Sequence, residues 1–367
     1  MVATVLLAVS GHGFGHAVRS AEVARALLQR GIRVVVRTEA PAWLFASGCE
    51  FLDGHGCPID VGIVQHDGLE FDVNATRARW AAFAANFEER ADHEAERFER
   101  AGADVVLGDV PPLAFAAASR AGLPSLALGN FGWDWIYAAW PAFAEVVDTV
   151  RAAYARAEGL LRLPLHSQAA DAFPAFARIV DVPLIARRAA RPRAEVRSEL
   201  GISDHEVVVL LSFGGFDLSA LDLPALGALR SYRFVVSPPL SSHTTALPDN
   251  VLLLGRRPDD YVSLLAASDA VVTKPGYGIV ADCLSNRVPL LYTDRGPFRE
   301  YDVLVAALEQ RAQAHYVARD DLLAGRLGPS LEQLFAKRGR WTDDPIDGAE
   351  VVAERLLRMV GAPDSVR

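Results

Sequence analysis

The sequence predicts an α/β protein of two Rossmann-like domains, each a parallel sheet covered by helices, and three observations carry that prediction. At 367 residues the chain exceeds one typical core and suits two domains of roughly 150 residues each. Short β-branched apolar runs alternate with longer stretches of helical spacing, the pattern of βαβ units. That alternation runs through the chain twice, with an arginine-rich break between the two series.

In the first series a strand is expected over 4–9, a helix over about 16–29, and strands over 32–36, 105–108 and 125–128, with a helix after the third. Residues 76–102 keep apolar side chains at helical spacing while Glu88, Glu89, Arg90, Asp92, Glu94, Glu96, Arg97, Glu99 and Arg100 crowd the second half. That run reads as a solvated helix face. The second series has strands at 207–212, 234–236, 251–254, 270–273 and 289–292, with helices between. Between them lie Val180, Asp181, Val182 and Pro183, followed by Arg187, Arg188, Arg191 and Arg193, an exposed connection. The expected division is therefore 1–184, 185–345, and a terminal segment 346–367 whose helix spans about 347–360.

Apolar residues make up 51% and charged residues 23%, which supplies packed cores and gives no sign of disorder. A formal charge of −9 excludes a nucleic-acid partner, which needs a basic surface. The opening apolar run lacks a basic region before it and yields at once to glycines and histidines, so it reads as a buried strand. No membrane span is expected, because the apolar stretch 107–147 is interrupted by prolines, Asp109 and Asp134. Cys49, Cys57 and Cys283 lack Cys-x-x-Cys spacing and read as reduced thiols of a cytoplasmic protein. The Ala- and Arg-rich usage points to a bacterial source.

The first candidate site is the loop Ser10-Gly11-His12-Gly13-Phe14-Gly15-His16, between the first strand and first helix. Gly13 and Gly15 let backbone amides approach a ligand at a helix N-terminus. His16, at the first helical turn and at the carboxyl edge of a parallel sheet, sits where open α/β sheets bind ligands and suits proton transfer near neutral pH. His12 is a second candidate, the alternative for both being a capping or merely polar loop histidine. Asp109 ends the third strand of the series, where its carboxylate can orient His16; otherwise it caps the following helix.

In the second series Ser212-Phe213-Gly214-Gly215-Phe216 and Thr273-Lys274-Pro275-Gly276-Tyr277-Gly278 are turns suited to a diphosphate, with Lys274 adding a point charge and Asp282 able to accept from ribose hydroxyls. Cys49, Asp53, His55, Cys57 and His66 superficially resemble a metal cluster, but no paired zinc spacing supports one. No Asp-x-Asp motif of a metal-held diphosphate is found either, so neither metal nor bound cofactor is expected. The block Asn130-Phe131-Gly132-Trp133-Asp134-Trp135-Ile136-Tyr137 reads equally as a sugar-contacting surface or as core.

Residues 11–17, 130–137, 162–164, 181–183, 193–202 and 274–278 resemble the glycosyltransferase-like N-terminal region of plant L-arabinokinases over roughly 10–330. More distantly the layout resembles the lipid II-forming N-acetylglucosaminyltransferase and the UDP-glycosyltransferases. The resemblance implies a GT-B fold, with two Rossmann-like domains facing across a cleft and a terminal helix returning to the first. It implies a catalytic His at His16 paired with Asp109, a Gly-rich nucleotide turn at Ser212 to Gly215, and a ribose contact at Asp282. It also implies a donor-sugar contact near Glu300 and Tyr301, which replace the family's Asp-Gln or Gln-Gln pair. The expected activity is metal-independent, inverting transfer from a UDP-sugar, a co-substrate, to a small-molecule or glycan hydroxyl. Rival readings are a nucleotide-sugar hydrolase, motivated by Gly15-His16-Ala17-Val18-Arg19, more weakly a non-hydrolysing epimerase, and a non-catalytic nucleotide-sugar-binding module.

Overall fold

The computed structural model describes residues 2–52, 58–65, 69–213, 220–237, 247–254 and 260–361. The chain divides into two compact units. The first contains β1 (Thr4–Val9), α1 (Phe14–Gln29), β2 (Arg33–Thr38), β3 (Glu50–Phe51), α2 (Val73–Ala84), α3 (Phe87–Arg100), β4 (Val105–Asp109), α4 (Pro112–Arg120), β5 (Ser125–Gly129), α5 (Trp133–Tyr137), α6 (Ala144–Tyr154), β6 (Gly159–Arg162) and β7 (Ile179–Asp181). The second contains α7 (Arg193–Glu199), β8 (Val207–Leu211), β9 (Tyr232–Val236), β10 (Val251–Leu253), α8 (Tyr261–Ala267), β11 (Ala270–Thr273), α9 (Tyr277–Asn286), β12 (Leu290–Tyr292), α10 (Glu300–Arg311), β13 (Ala314–Tyr316), α11 (Arg319–Leu323) and α12 (Gly328–Ala336). The last helix, α13 (Gly348–Met359), belongs to the first unit.

Among the described residues the first sheet runs β3-β2-β1-β4-β5-β6-β7 and the second β10-β9-β8-β11-β12-β13, every pairing parallel. Parallel sheets sandwiched by helices bury both faces of their strands, which is why β1, β4 and β11 are buried at every position. In each sheet the strand order reverses beside the first strand of its series, between β1 and β4 and between β8 and β11. A crevice opens at the carboxyl ends of strands at such a reversal, the usual ligand position of open α/β sheets.

Several boundaries differ from expectation for local reasons. Helix α1 begins at Phe14 because Gly13 takes a left-handed φ of 69° and serves as its N-cap. The single helix expected from residue 76 is two, with Asp72 capping α2 by accepting from the Ala75 amide at 2.7 Å. The chain passes between units after Ala186 and returns at Asp344, and Gln65–Phe71 belongs to the second unit, whose core includes Leu69. In the first unit the returning chain pairs Ile185 with Asp347 and brings α13 against α1.

The reading of the charged run as wholly solvated is corrected at one position. Glu94 is buried and receives the Arg37 guanidinium through Nε and Nη2 at 3.0 and 2.9 Å, Arg37 being fully buried in β2. An amphipathic helix turns every third or fourth residue inward, and here the inward residue meets a strand cation. Removing one member of such a pair strands the other in the core. Glu94→Leu is expected to lower unfolding free energy by about 3 kcal/mol or more, and the Arg37→Leu/Glu94→Leu double variant by less, measured by urea denaturation; a loss under about 1 kcal/mol for the single variant refutes this.

Candidate active site

Strands β1 and β4 pair so that Val9 lies opposite Asp109, and Ser10 donates its amide to the Asp109 carbonyl at 3.4 Å. This register delivers His16, from the first turn of α1, directly onto the Asp109 side chain. His16 Nδ1 lies 2.7 Å from Asp109 Oδ1, and both residues are buried. Two acceptors at that distance would repel, so a proton lies between them. Burial pushes the Asp109 carboxyl up, but the Arg19 charge, His16 and the bonds from both outweigh it and hold the group at about 2. The proton therefore resides on Nδ1, and Nε2 is the nitrogen left free of it whenever the ring is uncharged.

Asp109 does not cap α4, whose N-cap is Pro111 without a side-chain bond. Its carboxylate instead gathers four bonds, receiving Arg19 Nε and Nη2 at 2.7 and 2.5 Å and the Ser20 hydroxyl at 2.9 Å besides His16. Arg19 Nη1 reaches the Asn130 side-chain carbonyl at 2.8 Å, just past β5. The next residue, Val110, holds φ at 57°, a left-handed conformation that a β-branched residue rarely adopts. Its carbonyl accepts the buried Tyr154 hydroxyl at 2.8 Å.

His12 does not join His16 at Asp109. Its Nδ1 accepts the Ile63 amide at 3.3 Å, its ring stands edge-on to Trp133 at 5.2 Å, and Gly62 passes so close that a side chain there would meet the ring. Trp133 in turn donates Nε1 to Asp60 at 3.2 Å and lies 6.1 Å from the His16 ring, whose edge contact with Phe131 is at 5.6 Å. Burial pushes the Asp60 carboxyl up, opposed by the Ser10 hydroxyl, His16, Trp133 and the Gly11 amide. The aromatic block is thus core: Trp133, Asp134, Trp135, Ile136 and Tyr137 are all buried, with Trp133 forming the wall behind the histidines. Gly15 is the second residue of α1.

In the second unit the proposed nucleotide residues also lie at carboxyl ends of strands, while Gly214 and Gly215 fall outside the described residues. Ser212, past β8, accepts the Tyr261 hydroxyl at 2.7 Å. Lys274, past β11, is buried with Nζ 3.5 Å from Gln65 Oε1. Gly276 is the N-cap of α9 and Tyr277 and Gly278 its first two residues; no side chain caps the helix and no acid occupies its first turn. Pro275 gives its carbonyl to Arg295 Nη1 at 3.2 Å. Ser237 past β9 and Thr293 past β12 are buried with no partner for their hydroxyl oxygens.

Two expected ligand contacts are committed elsewhere. Both carboxylate oxygens of Asp282 face Arg187, with Nη2 at 2.5 Å and the Arg187 amide at 3.0 Å. Glu300 is buried against Arg295 at 2.9 Å, whose guanidinium lies 4.2 Å from the Phe298 ring centre. Burial lowers the Arg295 pKa, opposed by Glu300. Sequence reasoning missed Asp60 and Ser20, isolated polar residues without motif spacing, and it noticed Arg19 and Asn130 only as parts of longer motifs.

Among the described residues no group of three or more His, Cys, Asp or Glu is placed to hold a metal, and Asp53, His55, Cys57 and His66 lie outside them. No described helix is long and apolar enough to cross a membrane.

The Asp109 value makes acid stability a test of the network. Its folded pKa lies below the unfolded value near ~3.9, so its stabilisation is complete above about pH 4 and is lost as pH falls toward 2. Between those limits the wild type is expected to lose about 2 kcal/mol more than Asp109→Asn, followed by urea midpoints; parallel pH profiles refute it.

No family model matches the chain. L-arabinokinase of Arabidopsis thaliana is 36% identical over 361 residues, which is 95% of this chain and 33% of the relative, so the chain spans about a third of that protein's length. The glycosyltransferase SnogD from Streptomyces nogalater is similar in structure, with a TM-score of 0.60 at 16% identity, covering 98% of this chain and 100% of that one. A UDP-glucosyltransferase from Polygonum tinctorium gives 0.61 at 14% identity, covering 99% of each chain. These likenesses make the fold GT-B.

Proposed function

We propose that this protein is a metal-independent, inverting glycosyltransferase that moves a sugar from a UDP-sugar to a hydroxyl acceptor. The observation that carries the reading is the buried His16–Asp109 pair at the strand-order reversal of the first sheet, with the proton on Nδ1 and Nε2 left basic. Nε2 takes the acceptor hydroxyl proton as the oxygen forms its bond to the anomeric carbon, and the bond to the diphosphate breaks on the opposite face. One displacement inverts the centre. Asp109 stabilises the imidazolium that results.

For the donor, the second unit supports the reading with the reversal between β8 and β11, the uncapped start of α9, Lys274, and the buried hydroxyls of Ser237 and Thr293. Amides at a helix N-terminus and a lysine stabilise a leaving diphosphate without a metal. The similarity to a UDP-glucosyltransferase supports uridine as the base. Glu300, at the position where the family resemblance implies a donor-sugar contact, gives one carboxylate oxygen to Arg295.

A second reading is favoured by Arg19, which completes the Gly-His-x-x-Arg pattern of nucleotide-sugar hydrolases and is buried against Asp109. Water then replaces the acceptor. Free sugar released at catalytic rates without acceptor decides for hydrolysis; product that appears only with acceptor decides for transfer.

His16→Ala is expected to reduce turnover by about a hundredfold or more while leaving the UDP dissociation constant unchanged, and full activity in that variant removes His16 from the chemistry. Lys274→Ala should weaken UDP binding roughly tenfold by calorimetry; unaltered affinity places the diphosphate elsewhere.

A further inference from the structure

We infer that Arg19 is the positioning residue that keeps His16 a neutral base, by compensating the Asp109 charge and fixing the carboxylate against the imidazole. The inference rests on the reading of His16 as the base. Consider the pair without Arg19. A carboxylate with a neutral imidazole is one uncompensated negative charge in a buried site, whereas carboxylate with imidazolium is neutral overall. Burial penalises net charge, so the pair alone favours the protonated ring, which cannot accept a second proton. Arg19 shifts the balance the other way: guanidinium and carboxylate already sum to zero, so protonating His16 adds a positive charge to that trio.

The geometry serves that purpose. Arg19 places two nitrogens on the two oxygens of Asp109, and its Nη2 lies 3.0 Å from His16 Nδ1, so the cation faces the ring as well as the carboxylate. Asn130 holds the third nitrogen, which ties the guanidinium in place, and Ser20 donates to Asp109 Oδ2. Arg19, Asp109, His16, Ser20 and Asn130 are all buried. From the other side the charged group facing His16 is Asp60, shared with Ser10 and Trp133; Phe131 and Trp133 contribute uncharged rings. Arg19 is therefore the cation that opposes ring protonation.

The test reads the ring directly, independently of activity. Long-range proton–nitrogen correlation spectra of the ¹⁵N-histidine protein give the His16 titration midpoint in wild type, Arg19→Met and Arg19→Lys. In Arg19→Met the midpoint is expected to rise by about one pH unit or more, a tenfold gain in proton affinity. Arg19→Lys keeps a charge but not the fork, and should rise less, in the same direction. Should Arg19→Met fail to fold by circular dichroism, Arg19→Lys decides alone. An unmoved or lowered midpoint overturns the inference. With UDP-glucose turnover as the rate, the acid limb of the pH profile should follow the midpoint. A midpoint that rises while the limb stays fixed supports the role of Arg19 and instead removes His16 as the base.

Discussion

A single carboxylate buried at the edge of a parallel sheet organises the first unit. Asp109 has nowhere to lose its charge to water, so its neighbours must supply donors. They come from α1 through His16, Arg19 and Ser20, while Asn130 past β5 holds the arginine. Each donor is delivered by an element whose place is set by the sheet, and the tautomer of His16 follows from the carboxylate remaining ionised. The chemistry of the site is in this sense a by-product of satisfying one buried charge.

The second unit solves a different problem at its own strand-order reversal. There polar groups are partly committed to protein partners, Ser212 past β8 to Tyr261, Asp282 in α9 to Arg187 and Glu300 at the start of α10 to Arg295. The groups left without a bond partner among the described residues include the buried hydroxyls of Ser237 and Thr293, and the start of α9 is uncapped. Such groups suit an anion more than a dense sugar-recognition network.

Strands were legible because their runs are buried on both faces and so are apolar at consecutive positions; β1 and β11 match their expected limits. The strands β3, β7 and β13 were not, since their two or three residues are largely exposed and carry no continuous apolar run, and β6 was not read either. His16 and Asp109 were readable from chain order alone, because the ends of strands in a parallel sheet must share one edge. Arg19's bonding was not. A partner chosen by side-chain reach across α1 and β4 leaves no local pattern, and the same holds for Arg37 with Glu94 and for Arg187 with Asp282. His12 illustrates the converse, a conspicuous motif residue whose ring accepts a backbone amide and packs on Trp133.

The left-handed Val110 gives this arrangement an unexpected dependence. A glycine would adopt that backbone without strain; a valine holds it only because surroundings over-determine it, at a cost of order 1–3 kcal/mol. The restraint comes from Tyr154, at the end of α6 and forty-four positions along the chain, whose hydroxyl grips the Val110 carbonyl. The aim of the Asp109 carboxylate is thus spring-loaded. Damage to α6 would let the strand end relax and turn the carboxylate off the imidazole, so the aim of the His16–Asp109 pair is partly on loan from a helix that gives the carboxylate no donor of its own.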